Sequence, residues 1–577
     1  MSRRAQFWCL LCSGAPRLML VVAAWMVLRL VVAPPVSAGI GETVHNLSVS
    51  GPGEIRAMSE ERICIFCHAP HGASTQAPLW NRRDSRASYL FYESSTLDAL
   101  VGQPTGATRL CLSCHDGTVA LGELVSEPRE IELNQPFLDL DTGSLETDLA
   151  DDHPVSFVYD HDLAAQDLEL ESSLTIRPPA RLDADGRMQC TSCHDPHDNS
   201  LGSFLLVDPF GGALCTACHR KSEWELGTHA TSTAGWDGTA PDPWPGSQQP
   251  TVAGNACRSC HTPHAAAQPR WLLRHAPEEQ ACLVCHGGHV AELNLEAEFA
   301  KPYRHPLDLA QGIHEPGEDS LLAPRHVECT DCHDPHQATG EVADAPAASG
   351  KLKGARGIDA EGLAVASVRF RYEVCFACHG DASDTNQEIP RVAGEINTRL
   401  EFSGDAISSH PVVRPGINTS DPTLRPPYTE ASQINCTDCH ASDSADSGGS
   451  LGPHGSQHRG LLRRRYETDD FTPESPLAYD LCYQCHSRSV LLDRGRTNFA
   501  THRLHVETEQ TSCSICHDPH GIASSLGDPS GNTHLINFDL RVVEPNASGR
   551  LRFEDRGFRS GACYLSCHGS NHDPKVY

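Results

Sequence analysis

The chain has 577 residues with a formal charge of −30, and it carries 26 cysteines and 33 histidines but only 6% aromatic residues, punctuated by 46 glycines and 40 prolines. So acidic a surface speaks against nucleic acid and anionic membranes as partners and favours cationic ones. So few aromatics among so many chain breakers also argue against a conventional layered core, so another group must supply buried apolar area.

Residues 1–38 come first. A basic start at Arg3 and Arg4, an apolar run from Leu18 to Ala33 broken once by Arg29, and the small-residue end Val36-Ser37-Ala38 read as a signal peptide cut after Ala38. An uncleaved anchor is the alternative, against the shortness of the run and the prolines that follow it. No later stretch has the apolar length to cross a bilayer. The expectation is an exported protein, periplasmic or extracellular at the cell surface, with no transmembrane span after cleavage.

From Cys64 onward one string recurs. C-x-x-C-H occurs eleven times, and a twelfth version, Cys563-Tyr-Leu-Ser-Cys567-His568, has one extra residue. Together they use 24 of the 26 cysteines, and the other two, Cys9 and Cys12, lie in the leader. The string is that of covalent c-type haem attachment, in which two thiols bond the vinyl groups and the following histidine ligates iron. Cysteines three apart on a helical turn project to one side, so both reach one porphyrin edge. Structural zinc would group the cysteines in fours without a histidine after each pair, and a redox dithiol would occur once on a βαβ background. About twelve haems are therefore expected, the twelfth against the alternatives of attachment through Cys567 alone or an unrelated cysteine pair.

The strings fall into six pairs, read in chain order as six di-haem modules. Module 1, residues 39–150, holds His45, then Cys64, Cys67, His68 and His71, then Cys111, Cys114 and His115. Module 2, residues 151–222, holds His153, then Cys190, Cys193, His194 and His197, then Cys215, Cys218 and His219. Module 3, residues 223–298, holds His229, then Cys257, Cys260, His261 and His264, then Cys282, Cys285 and His286. Module 4, residues 299–395, holds His305, then Cys329, Cys332, His333 and His336, then Cys375, Cys378 and His379. Module 5, residues 396–495, holds His410, then Cys436, Cys439 and His440, a Ser/Gly-rich insertion before His454, then Cys482, Cys485 and His486. Module 6, residues 496–577, holds His502 or His505, of which His505 is preferred, then Cys513, Cys516, His517 and His520, then Cys563, Cys567 and His568.

Two further histidine classes emerge from this order. One follows the first string of each module as x-Pro-His, namely His71, His197, His264, His336 and His520, with His454 as the displaced sixth. The other precedes each module in a turn-like context: His45, His153, His229, His305, His410 and His505. Together they equal the number of irons needing a second axial ligand. Outside the leader only Met58 and Met188 could offer sulfur instead, so bis-histidine, low-potential haems are expected. A histidine three residues beyond a proximal one lies on the same side of the turn, so His197 should serve a neighbouring haem. His275 could replace His229, and His314 or His326 could replace His305. His161, His289, His458, His534 and His572 have no slot and read as exposed or hydrogen-bonded side chains.

The linkers read as coil, the helices as short and centred on the strings, and extended sheet as scarce. The expected fold is haem-cored and mostly coil, an elongated multihaem cytochrome c with little β. His45-Asn46-Leu47-Ser48, Cys64-Ile-Phe-Cys67-His68-Ala-Pro-His71-Gly72, Leu110 to Ala120, Asp152 to Phe157 and Cys190 to His197 carry a resemblance to multihaem c-type cytochromes with doubled C-x-x-C-H strings, the cytochrome c3-like group. The segments His534 to Phe538 and Ala562 to Gly569, with its C-x3-C-H variant, extend it to most of the mature chain. The resemblance implies electron transfer in the periplasm or at the surface of a respiring cell, with other cytochromes or a quinol-oxidising membrane complex as partners. Some relatives form filaments, so a polymer or trans-envelope subunit is one alternative. The other is a multihaem oxidoreductase acting on a small nitrogen or sulfur compound, for which no string offers the lysine that often marks an open iron. On this reading the chain is an electron-transfer protein rather than an enzyme.

Overall fold

The computed structural model describes residues 39–577 except 75, 76, 78, 177, 308–326, 382–387 and 418–419. The leader, His314 and His326 lie outside the described residues. Much of the described chain is turn and coil, and only three described helices exceed six residues: α1 (Gly106–His115), α2 (Glu278–His286) and α3 (Arg371–His379). Each ends on the histidine of a second string. The first strings sit on single turns, such as Cys190–Ser192, Cys329–Cys332 and Cys436–Cys439.

The middle residues of those turns explain why they form. Asp331 accepts from the backbone N–H of Glu328 at 2.7 Å, and Asp438 does the same for Asn435 at 2.7 Å. Ser192 Oγ accepts from the N–H of Gln189 at 3.0 Å. A side chain in the third helical position thus folds back on the turn's entry. The turn closes with a bond from the histidine N–H to the first cysteine carbonyl, 3.0 Å from His194 to Cys190 and 2.8 Å from His440 to Cys436. Both thiols then point the same way.

The chain folds as two units. The described part of one comprises residues 39–87, 106–146 and 189–208; the other comprises 88–105, 147–188 and 209–577. The first unit takes in the first string of module 2 because Gln189 and Cys190 are fastened to α1. Gln189 Oε1 accepts from Thr108 Oγ1 at 2.7 Å and from its N–H at 3.1 Å. The described residues form small apolar clusters, most of them built beside attachment cysteines. Ile55, Phe66 and Leu121 pack with Cys67 and Cys114, Tyr479 and Val506 with Cys482 and Cys513, and Tyr372 and Phe402 with Cys436. This is how a chain of low aromatic content builds an interior around a cofactor.

Scarce sheet holds for most of the described chain, where strands are two-residue pairs, but not for its end. Strands β1 (Val543–Glu544), β2 (Arg552–Asp555), β3 (Gly561–Cys567) and β4 (Ser570–Val576) form an antiparallel four-stranded sheet in which β3 pairs with the other three. The twelfth string therefore lies on a strand, where a helical turn was expected. Ile515, Phe538, Val543, Phe553 and Leu565 pack against it. Among the described residues no helix is long and apolar enough to cross a membrane.

Arg82, fully buried in the first unit, has no counterpart among the expected functional residues. Its guanidinium donates to the carbonyls of Leu121 and Ser113 at 2.7 Å each, to Ala120 at 3.1 Å and to Ser113 Oγ at 3.2 Å. It ties the end of α1 to the loop that follows, and a buried cation is tolerable because each of its nitrogens donates a hydrogen bond. Replacing it with methionine strands those carbonyls. Arg82→Met should cost about 3 kcal/mol, read as an earlier unfolding transition in denaturant, with the haem count by mass unchanged.

Candidate haem-binding sites

Nine pairs of imidazoles face one another with ring centroids 6.0–6.4 Å apart. Two imidazoles on opposite sides of one metal ion, with metal–nitrogen bonds of about 2.0 Å, have centroids roughly 6 Å apart. The spacing is too wide for ring stacking and suits an intervening iron. The chemistry of the donors agrees. Burial holds His219 at about 3 and His261, His286, His440, His454 and His517 at about 4, so each is a neutral ring with a lone pair to give. A haem fits these sites.

The pairs obey two rules. The proximal histidine of a second string faces the histidine that precedes its own module: His115 with His45, His219 with His153, His286 with His229 and His379 with His305. The proximal histidine of a first string faces the x-Pro-His of the next module: His68 with His197, His261 with His336, His333 with His454 and His440 with His520. The displaced His454 thus falls in the same position as its undisplaced counterparts. Module 6 has no x-Pro-His after it, and there His517 faces His502 at 6.4 Å. The preference for His505 is corrected on this point: His502 opposes the first string of module 6, held by Thr497 Oγ1 3.0 Å from its Nδ1.

The Nδ1 atoms are tied down so that Nε2 is left for a metal. Four proximal rings of first strings point Nδ1 at the carbonyl of a residue in left-handed conformation: Ser203 at 2.9 Å, Trp271 at 2.7 Å, Gly460 at 2.8 Å and His534 at 2.9 Å. Only one of these is glycine, so the strained turn is invisible in composition. The rings preceding modules instead use the proline carbonyl of the next module's x-Pro-His, Pro196 for His45, Pro335 for His229 and Pro453 for His305, at 2.8–3.2 Å. One x-Pro-His element therefore supplies a ring to one site of the preceding module and orients the ring of its other site. Most x-Pro-His rings are themselves backed by carboxylates: His197 by Asp195 at 3.2 Å, His264 by Asp152 at 2.9 Å and His520 by Glu401 at 3.2 Å. Burial opposes charge on His520, but the Glu401 hydrogen bond outweighs it and raises its pKa.

The remaining expected ligands are placed as follows. His410 and His486 interact electrostatically, with Nδ1 of each held, by the Pro519 carbonyl and by Thr423 Oγ1 respectively. His194 and His264 are fixed through Nδ1 as above. His71 is exposed and faces no imidazole among the described residues. Met188 is buried against Phe157 and Tyr159, and Met58 is 62% exposed.

The attachment cysteines also touch from one string to the next. The side chains of Cys111 and Cys190, Cys215 and Cys257, Cys282 and Cys329, Cys375 and Cys436, and Cys482 and Cys513 lie beside one another, each pair joining the second string of a module to the first string of the following one. Within modules, Cys67 interacts electrostatically with Cys114, Cys260 with Cys285, Cys332 with Cys375, Cys439 with Cys482 and Cys516 with Cys563. At Gly212, φ +79°, a β-carbon would come within 2.9 Å of Cys257 Sγ, so glycine is required for the approach of Cys215 and Cys257.

Comparison with known families agrees with this geometry. A model described as outer membrane cytochrome MtrC/MtrF-like, domains II/IV, matches residues 363–525, and one for the doubled CXXCH motif matches residues 184–223 and 249–291. The chain is a multihaem c-type cytochrome. Its C-x-x-C-H strings hold covalent haem c. No curated protein matches the chain.

A carboxylate on Nδ1 makes an axial imidazole a stronger donor and favours ferric iron. Glu401→Gln should therefore raise the midpoint of one low-potential component in a spectroelectrochemical titration, on the order of 60 mV for each tenfold change in relative ferric binding. His197→Ala should turn the haem at Cys64 high-spin and leave the haem at Cys190 low-spin. Assignment by mapping the carbon monoxide adduct to its haem peptide would check which of the two lost its ligand.

Proposed function

We propose that this cytochrome is a dodecahaem electron conduit of six di-haem modules. It accepts electrons from a quinol-oxidising membrane complex or small cytochrome, and passes them outward to another cytochrome or an insoluble oxidant from the periplasm or cell surface. The single observation that carries the reading is the chain-order contact of attachment cysteines within each unit. Thioethers in contact bring porphyrin edges together, and electron transfer between edges falls off steeply with distance. Opposed imidazoles would leave the irons six-coordinate, with no position for a substrate, so each haem serves as a one-electron stop. The charge of −30 favours docking to cationic partners.

Stopped-flow reduction by a small reductant tests this. All haems should bleach together within the mixing experiment, and the reduced protein should be stable towards nitrite, hydroxylamine and sulfite while passing electrons rapidly to a cationic acceptor. Sustained turnover of any of these compounds would sink the conduit reading in favour of an oxidoreductase.

A second reading, in which the chain is one subunit of a filament or trans-envelope complex, is favoured by His71. It carries the same x-Pro-His element that elsewhere serves the preceding module, yet it faces no imidazole among the described residues. Sedimentation of the wild type and His71→Ala would separate the two: loss of a larger species in the variant supports a subunit, and a monomer in both removes that reading.

A further inference from the structure

Five first strings are clasped by the strap of chain that follows them, and one strap position recurs in all five. The backbone N–H of Asn81, Leu206, Arg274, Arg463 and Asn537 donates to the carbonyl of the second cysteine, on Cys67, Cys193, Cys260, Cys439 and Cys516 in turn, at 2.8–2.9 Å. The residue just before each clasp pairs with the proximal histidine of the same string, as Leu273 does with His261 and Leu462 with His440. The position is therefore constant while its side chain is not. Arg274 folds back on its string, where Nε and Nη2 donate to the carbonyl of Arg258, between the two cysteines, at 3.2 and 3.0 Å. Asn81 makes the same bond without a charge, from Nδ2 to the Ile65 carbonyl at 2.6 Å.

Arg463 turns the other way. Its Nε lies 3.2 Å from Asp446, which also takes its Nη2, so its charge is met by a carboxylate. At Asn537 a cation arrives from elsewhere in the chain: Arg391, its side chain 6% exposed, donates through Nη1 to the Ser514 carbonyl, inside the string, at 2.5 Å. A guanidinium stays charged throughout the physiological range. Reduction adds one electron to a haem and leaves the arginine unchanged, so a cation held against the attachment turn favours the ferrous form. A cation already matched by a carboxylate has much less effect. Arg274 interacts electrostatically with Cys260, and Arg463 with Cys439, so both charges are felt at the attachment edge.

We propose that the strap position tunes the first-string haems: Arg274 raises the potential of the haem at Cys257, and Asp446 cancels the same effect of Arg463 on the haem at Cys436. The inference rests on haem at the C-x-x-C-H strings and deepens the conduit reading, because it assigns individual steps of the path a higher or lower potential. Arg464, which shares Asp446 at 2.7 Å, has Asp480 as a second partner at 3.0 Å, so loss of the Asp446 charge bears chiefly on Arg463.

The test is a redox titration of the full-length holoprotein followed by electron paramagnetic resonance, with haem number checked by intact mass. The rings of His261 and His336 are near-parallel at 11°, so the haem at Cys257 contributes to the rhombic low-spin signal. Arg274→Gln keeps an amide donor, as Asn81 does, and should lower one rhombic component on the order of tenfold in ferric-to-ferrous ratio, about 59 mV for one electron. Arg274→Lys keeps the charge and should leave that component in place. Asp446→Asn should shift one component in the opposite direction, upward. Loosened packing does not produce opposite shifts from two amide substitutions, so the pair separates charge from misfolding. An unmoved titration in Arg274→Gln, or a downward shift in Asp446→Asn, with the wild-type haem number retained, would overturn the proposal. Either result leaves the conduit reading standing, since that reading is tested by stopped-flow reduction and turnover.

Discussion

A low-spin bis-imidazole haem is held from both faces, and the turn that supplies the first imidazole cannot supply the second. Most of the structure follows from that constraint. Each first string must find its opposing ring in another part of the chain, and it finds it in the module that follows, as His68 does in His197 and His440 in His520. Such ligation would be a long-range cross-link, comparable in topology to a disulfide but with a flat cofactor at its centre. It would let a chain of coil and single turns, with small apolar clusters, adopt a defined fold.

The same constraint arranges the conduit. Because four x-Pro-His elements, those of His197, His336, His454 and His520, give the preceding module both a ring and a proline carbonyl, the modules they join are drawn together at the point where their cysteines meet. The Nδ1 partners add a second pattern: most rings of the x-Pro-His class lean on carboxylates, and rings preceding modules lean on neutral carbonyls.

Much of this is legible in the sequence, for a physical reason. Covalent attachment demands cysteines and a histidine at fixed spacing, and a proline next to a histidine marks extended chain that can present a ring. What remains hidden is whatever several residue types can do equally well. The left-handed turns that receive the proximal N–H use Ser203, Trp271 and His534 as well as Gly460, so no composition betrays them. His502 and His505 both precede the last module, and only the fold separates them. The terminal sheet is masked because the twelfth string resembles the others while its residues alternate along a strand. Arg82 is an ordinary arginine until its complete burial is seen.

The central claim is that opposed imidazoles cap the irons, and electron paramagnetic resonance of the fully oxidised protein tests it most directly. The facing rings range from near-parallel, 13° for His68 with His197 and 11° for His261 with His336, through 32–51° for four pairs, to near-perpendicular, 74° for His45 with His115 and 83° for His229 with His286. The account predicts low-spin signals that range from rhombic, from the parallel pairs, to strongly anisotropic, from the perpendicular ones, and no high-spin iron. A high-spin signal integrating to one or more haems would contradict it.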